Sequence, residues 1–460
     1  MSAQPLAEPQ LKRYWLETYG CQMNKAEAES LELQLRERGW TPASEPSQAQ
    51  AVILHTCSVR RTAEERVWGR LGFFKKSRWS RPFRLVLMGC MAERLKEQIL
   101  IQAPQVDLLV GNFQKQRLAE LLEEPAAGSP GAGSWAGKAS EGLEAGEYSF
   151  DGLHSTGGFR AFVPIMHGCN NFCSYCVVPY VRGPEVSRAP QSILAEIALL
   201  EAGGRREITL LGQNVNSYRF AAPGAPPLDF PGLLERIASG LEGIEWVRFL
   251  TSHPRDFSAR LIRALAESDR LCRHIHLPVQ HGSDRILRLM NRGYTRGRYL
   301  ELVRKIRESI GPVALTTDIL IGFPGETEKD FRLTLELVEE AEFAEAFTYR
   351  YNPREGTAAF GLADTVPGEV KQARLRQVIE LQRRITRRLK AGRLGARVKV
   401  LAEGVSRKDP RELLGRTEMD EMVVFPAPAG RIGQFLRVEL ASLRGNTFVG
   451  KECEEPCLGR

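Results

Sequence analysis

Residues 167–176 read HGCNNFCSYC and place Cys169, Cys173 and Cys176 in a C-x3-C-x2-C spacing. A structural metal site usually closes with four protein ligands, but the next residues, VVPY, add no thiol. The set therefore leaves one coordination position open, which is what separates reactive metal sites from structural ones. The run just before it, AFVPIMHG (161–168), has the length and apolar content of a buried strand, so the cysteines sit at a strand's carboxyl end.

Five more apolar runs follow: REITLLGQNV, WVRFLTSH, HIHLPVQ, VALTTDILIG and EAFTYRYNP. Helical patterns lie between them, such as SILAEIALLEAGG and RGRYLELVRKIRES. Strands alternating with crossover helices predict parallel pairing and a full or partial (β/α) barrel over residues 159–387. Such barrels do their chemistry at the carboxyl ends of the strands. Those ends are polar here: GQNVNSY with Gln213 and Asn214, TSHPRD with His253 and Asp256, QHGSD with Gln280 and His281, and GFPGETE with Glu326. GFPGETE also reads as a turn into a helix that Thr327 and Asp330 would cap.

The same alternation is visible upstream, over residues 11–122. RYWLETYG, AVILHT, FRLVLMG and VDLLVG read as parallel strands, and AEAESLELQLRERG, TAEERVWGRLGFFKK, MAERLKEQILIQ and FQKQRLAELLEE as helices. Cys21, Cys57 and Cys90 each follow one of the first three strands, at intervals of 36 and 33 residues. Loops beyond the carboxyl ends of parallel strands share one edge, so the spacing predicts a second three-thiol site. Residues 123–158, rich in Gly, Ala, Ser and Pro, read as a flexible linker. Residues 388–455 carry short, evenly spaced strands that predict a small closed all-β barrel, a form often used to hold RNA. The fold expected is thus α/β multidomain, with an N-terminal parallel sheet, a central (β/α) barrel and a C-terminal β-barrel.

Length, 460 residues, implies about two to four domains. A net charge of +8 permits a polyanionic partner, and the basic run KQARLRQVIELQRRITRRLK ahead of the β-barrel could meet phosphate or simply face water. No run approaches the length of a membrane span, and the N-terminus lacks a secretory core, so a cytoplasmic chain with reduced thiols is expected. Cys272 reads as a small buried residue, and Cys453 and Cys457 as exposed tail thiols. Arg182 and Arg188 could bind an anion or pair with Glu185.

A C-x3-C-x2-C motif with Tyr175 before its last cysteine, at the end of the first strand of a βα barrel, resembles the radical S-adenosylmethionine superfamily. The further stretches TYGCQMN, HTCSVR, MGCMAER, GCNNFCSYCVVPYVRG, TSHPRDF, HLPVQHGSD, MNRGYTR and TDILIGFPGETE, followed by a TRAM-like barrel, resemble its MiaB-type tRNA methylthiotransferases. CSVR resembles the isopentenyladenosine branch. His55, His281 and the Asp420–Glu421 pair depart from that branch's usual residues. The resemblance implies two [4Fe-4S] clusters, one on Cys169, Cys173 and Cys176 and an auxiliary one on Cys21, Cys57 and Cys90. It also implies S-adenosylmethionine as cofactor, with Gln213, Asn214, Gln280 and Glu326 as cofactor-binding candidates unless they serve only as loop caps. One cofactor molecule would methylate a sulfur carried by the auxiliary cluster. A second would yield the adenosyl radical that takes hydrogen from C2 of adenine-37 of tRNA. The partners implied are tRNA and a flavodoxin- or ferredoxin-type electron donor, acting on a monomer away from membranes. Alternatives are methylthiolation of threonylcarbamoyladenosine or of a ribosomal protein, or a non-catalytic iron–sulfur RNA binder that senses redox state.

Overall fold

A computed structural model describes residues 12–77, 83–124, 134–136 and 158–453. The chain divides into two compact units. One holds the N-terminal sheet together with His167–Asn170 and Cys176–Val186; the other holds residues 158–166, Asn171–Tyr175 and the chain from Ser187 onward.

The N-terminal unit is built on a six-stranded sheet ordered Thr41–Pro42, Arg13–Thr18, Ala51–Thr56, Arg84–Gly89, Leu108–Val110 and Ser134–Ala136. Every pairing is parallel. All six residues of Ala51–Thr56 are buried, as a central strand covered on both faces requires. Val52 and Leu54 enter the core on one face, and Ala51 and Ile53 the core on the other.

Two expectations change here. The helix expected over FQKQRLAELLEE is a short 3-10 turn, Lys115–Arg117, and one helical turn, Leu118–Leu121. Leu118 and Leu121 bury against the sheet, Lys115 turns into the interior, and Pro125 lies just beyond, so a longer helix has no partner face. The linker 123–158 lies largely outside the described residues, but Ser134–Ala136 within it pairs with Leu108–Val110 as an added edge strand.

The second unit contains the six expected strands, Arg160–Pro164, Glu207–Leu211, Trp246–Phe249, His274–His276, Ala314–Ile321 and Glu345–Arg350. They form two three-stranded parallel sheets joined by a bridge between Val247 and Leu271. Among the described residues the first strand does not pair with the last, so this is a partial barrel. Alternation along each strand sends Ile208, Leu210, Val247, Ile275 and Ile319 into the core shared with the helices. Glu207, Arg248, His274, His276 and Asp318 alternate with them and fall on the opposite, concave face.

The last five strands, Arg397–Val405, Glu412–Thr417, Met422–Pro426, Phe435–Arg444 and Thr447–Glu452, form a closed barrel. Its turn after Glu412–Thr417 meets the amino-terminal end of the partial barrel. There Arg248 donates to the carbonyls of Thr417 (2.8 Å) and Glu418 (2.6 Å) and pairs with Glu207 at 3.1 Å. The helix Gly368–Ala391 buries Val378, Leu381 and Ile385 and leaves Arg376, Arg383, Arg384 and Arg387 exposed. No described helix is long and apolar enough to cross a membrane.

Candidate functional site

The three N-terminal cysteines occupy equivalent strand ends. Cys21 is the N-cap of helix Gln22–Glu37, Cys57 directly follows Ala51–Thr56, and Cys90 opens helix Cys90–Gln102. Gly20 makes the approach possible. Its φ is +116°, and a Cβ there would lie 2.2 Å from Cys57 Cβ, so only glycine lets the two loops touch. Cys57 donates to Cys21 and holds that thiol well below its usual range, with the charge of Arg182 acting the same way and burial opposing it. Cys57 itself is pushed up by that bond, then by burial and the charge of Cys90. The three thiols thus sense one another electrostatically. No described group of three Cys, His, Asp or Glu is gathered tightly enough for a single metal ion. Three thiol donors at equivalent ends of parallel strands are the donor chemistry that an iron–sulfur cluster takes.

Buried polar side chains surround these thiols. Asn24 accepts from Cys21 Sγ at 3.4 Å and donates to the carbonyls of Tyr19 and Thr56, both at 2.9 Å. Asn112 donates to Cys90 Sγ at 3.5 Å and to the carbonyl of Val181 at 2.7 Å. Arg182 donates to Glu27 at 2.8 Å and to Asn24 at 3.1 Å, and Lys115 also pairs with Glu27. His55 Nε2 lies 3.3 Å from Glu27, so this departure from the branch pattern joins the same carboxylate. Burial and the charges of Lys115 and Arg182 hold His167 well below the usual imidazole range.

Of the alternatives open to Arg182 and Arg188, the structure shows binding to a carboxylate. Arg182 pairs with Glu27 and Arg188 with buried Glu196, while Glu185 accepts from the Asn170 amide. Both arginines are buried, and each takes the carboxylate that is buried beside it. Sequence reading missed Asn24 and Glu27. The available signal was a polar stripe, Cys21, Asn24 and Glu27, at three-residue spacing on an otherwise buried helix face.

The HGCNNFCSYC loop is pinned at several points. Gly168 has φ +78°, and a Cβ on it would lie 1.8 Å from the Pro184 carbonyl, while the Cys169 amide donates to the Gly183 carbonyl at 3.1 Å. Within the second unit, Ser174 donates from its amide to the Met290 carbonyl (3.0 Å) and from its hydroxyl to the Leu289 carbonyl (2.8 Å). Arg292, buried, donates to Cys173 Sγ at 3.3 Å and to the Pro278 carbonyl at 2.7 Å. The guanidinium thus holds the Cys173 sulfur at a fixed place in the loop. Nothing in MNRGYTR singles out this role.

The other strand-end candidates separate into two kinds. Gln213 Oε1 and Asn214 Oδ1 are buried without a hydrogen-bond partner, while Asn214 Nδ2 donates to Asp256 at 2.9 Å. Gln280 has φ +70° and donates its amide to the Asp318 carbonyl. Glu326, by contrast, is fully engaged. It accepts from the Gly322 amide (2.7 Å) and Arg374 (2.8 Å), and His281 Nε2 lies at 3.2 Å. Thr327 and Asp330 form the expected capping box. Cys272 is buried, with its thiol pushed up by burial. Cys453 is part-buried, and Cys457 lies outside the described residues.

With these features in view, the comparisons are specific. The model of the radical SAM superfamily matches residues 163–338, and that of uncharacterized protein family UPF0004 matches residues 13–111. A tRNA-2-methylthio-N(6)-dimethylallyladenosine synthase from Treponema denticola is 48% identical, covering 95% of this chain and 98% of its own. A synthase of the same name from Moorella thermoacetica is 43% identical, covering 96% and 98%. The chain belongs to this family. It is a radical SAM tRNA methylthiotransferase. Among solved structures, a radical S-adenosylmethionine methyltransferase, TsrM, from Kitasatospora setae aligns with TM-score 0.55 at 15% identity, covering 76% of this chain and 77% of that one. That likeness concerns the fold of the enzyme alone.

Proposed function

We propose that this enzyme inserts a methylthio group at C2 of N6-dimethylallyl (isopentenyl) adenosine-37 in tRNA. In this reading Cys169, Cys173 and Cys176 hold one [4Fe-4S] cluster, and Cys21, Cys57 and Cys90 hold the other. The observation that carries the reading is the second thiol set at three equivalent strand ends, in a chain that also carries the C-x3-C-x2-C loop of a partial (β/α) barrel. When bound, the clusters and S-adenosylmethionine supply the electron, the adenosyl radical and the sulfur. The chain's own residues position and shield. Arg292 orients the Cys173 sulfur, Gly168 and Ser174 fix the loop, and the unpartnered oxygens of Gln213 and Asn214 offer acceptors to the cofactor's ribose or ammonium. Gln280 presents its side chain from a left-handed backbone, and Glu326 holds the GFPGE loop that borders the same strand ends.

The closed C-terminal barrel and the exposed arginines of helix Gly368–Ala391 supply the charge expected of a tRNA contact. A soluble one-electron donor of flavodoxin or ferredoxin type, a cytoplasmic location and a monomeric enzyme complete the proposal. The test is anaerobic reconstitution and incubation with tRNA carrying either dimethylallyladenosine or threonylcarbamoyladenosine, with nucleosides read by mass spectrometry. Methylthiolation of the first alone is expected. Methylthiolation of the second, or of neither, overturns the substrate assignment.

A further inference from the structure

Holding a cluster does not by itself require the buried charge beside the N-terminal thiols. Glu27, Lys115 and Arg182 are all buried, and both cations rest on the one carboxylate. Two fixed cations against one anion leave surplus positive charge in the interior, which is costly unless further negative charge stands close by.

As cluster ligands the three sulfurs would carry that charge, and two amide side chains link them to the cations. One oxygen of Asn24 accepts from Arg182 at 3.1 Å and lies 3.4 Å from the Cys21 sulfur. Asn112 joins Cys90 to the carbonyl of Val181, the residue before Arg182, at 3.5 and 2.7 Å. The charges of Cys90 and Cys21 help keep Arg182 protonated, and that of Cys90 supports Lys115 against its burial. Arg182 closes the short helix Val178–Arg182, so the residues just after Cys176 reach into the neighbourhood of the other thiol set. An ion pair serving only to dock this helix would need one cation, not two.

We propose that Lys115 and Arg182, locked in place by Glu27, are positioning residues for the N-terminal thiolate site. Their surplus positive charge raises the reduction potential of the cluster held there and balances the negative charge of a sulfur anion, of the hydrosulfide or thiolate class, at the position no cysteine fills. The net charge around such clusters is one determinant of their potential. The inference rests on the assignment of Cys21, Cys57 and Cys90 as cluster ligands.

The test uses full-length enzyme carrying Cys173→Ala, so that the auxiliary cluster is read alone. Lys115→Met removes one positive charge. Lys115→Met with Glu27→Gln removes one of each sign and restores the balance. Iron content, the midpoint potential from redox titration followed by electron paramagnetic resonance, and spectral titration with methanethiolate are measured. The expected result is a lower midpoint in Lys115→Met, about 59 mV for each tenfold change in the reduction equilibrium. Weaker methanethiolate binding should accompany it, and the double variant should return toward the parent on both counts. Equal shifts in the single and double variants, or none in either at full iron load, overturn the proposal. If the single variant loads no iron, loading by the double supports the charge balance and failure of both overturns it. Full iron in Cys57→Ala is a separate result, which sinks the ligand assignment itself.

Discussion

Arg248→Met should loosen the C-terminal barrel from the partial barrel. Arg248 is buried, pairs with Glu207 at 3.1 Å, and donates to the carbonyls of Thr417 and Glu418 at 2.8 and 2.6 Å. Methionine fills similar volume but strands buried Glu207 and the two carbonyls. Removing one partner of a buried pair costs roughly 3–5 kcal/mol. That is a large share of the roughly 5–15 kcal/mol that holds a typical domain folded. Arg248→Met with Glu207→Gln removes the stranded charge and should recover about half of the loss or more, because neutral isosteres of a buried pair are tolerated. Urea unfolding followed by circular dichroism, with limited proteolysis across 388–396, reads both effects. If single and double variants unfold at the same urea concentration, Glu207 is not left unpaired and the reasoning fails.

Other outcomes follow from single contacts. Burial holds His274 down to about 4, below the ordinary 6.5, so the unfolded chain takes up its proton first as pH falls. Its stabilising contribution is therefore complete above pH 6.5 and lost toward pH 4, about 3 kcal/mol at most, and His274→Gln should flatten the fall of stability between pH 7 and pH 5. Gly20→Ala puts a methyl group 2.2 Å from Cys57 Cβ at φ +116°; about 1–3 kcal/mol of stability and about half of the reconstituted iron should be lost, read by urea unfolding and iron assay. Arg292→Lys keeps the charge near Cys173 but loses the two-point grip on Cys173 and the Pro278 carbonyl; S-adenosylmethionine cleavage under dithionite should slow about 10–100-fold, measured as 5′-deoxyadenosine formed.

The sequence alone determined the three-part α/β architecture and all six strands of the partial barrel, because strand and helix periodicities are local and the cysteines punctuate them. It also determined that Cys21, Cys57 and Cys90 follow equivalent strands, since chain order fixes the carboxyl edge of a parallel sheet. It misjudged the helix after Val110, where a longer helix has no face to bury, and it left open which anion Arg182 and Arg188 bind, because that depends on which buried carboxylate is nearest in space. Only tertiary structure brought Glu27, Lys115 and Arg182 together across 155 residues of chain. No local pattern predicts that meeting, because a buried charge is placed by the distant partner that makes its burial tolerable.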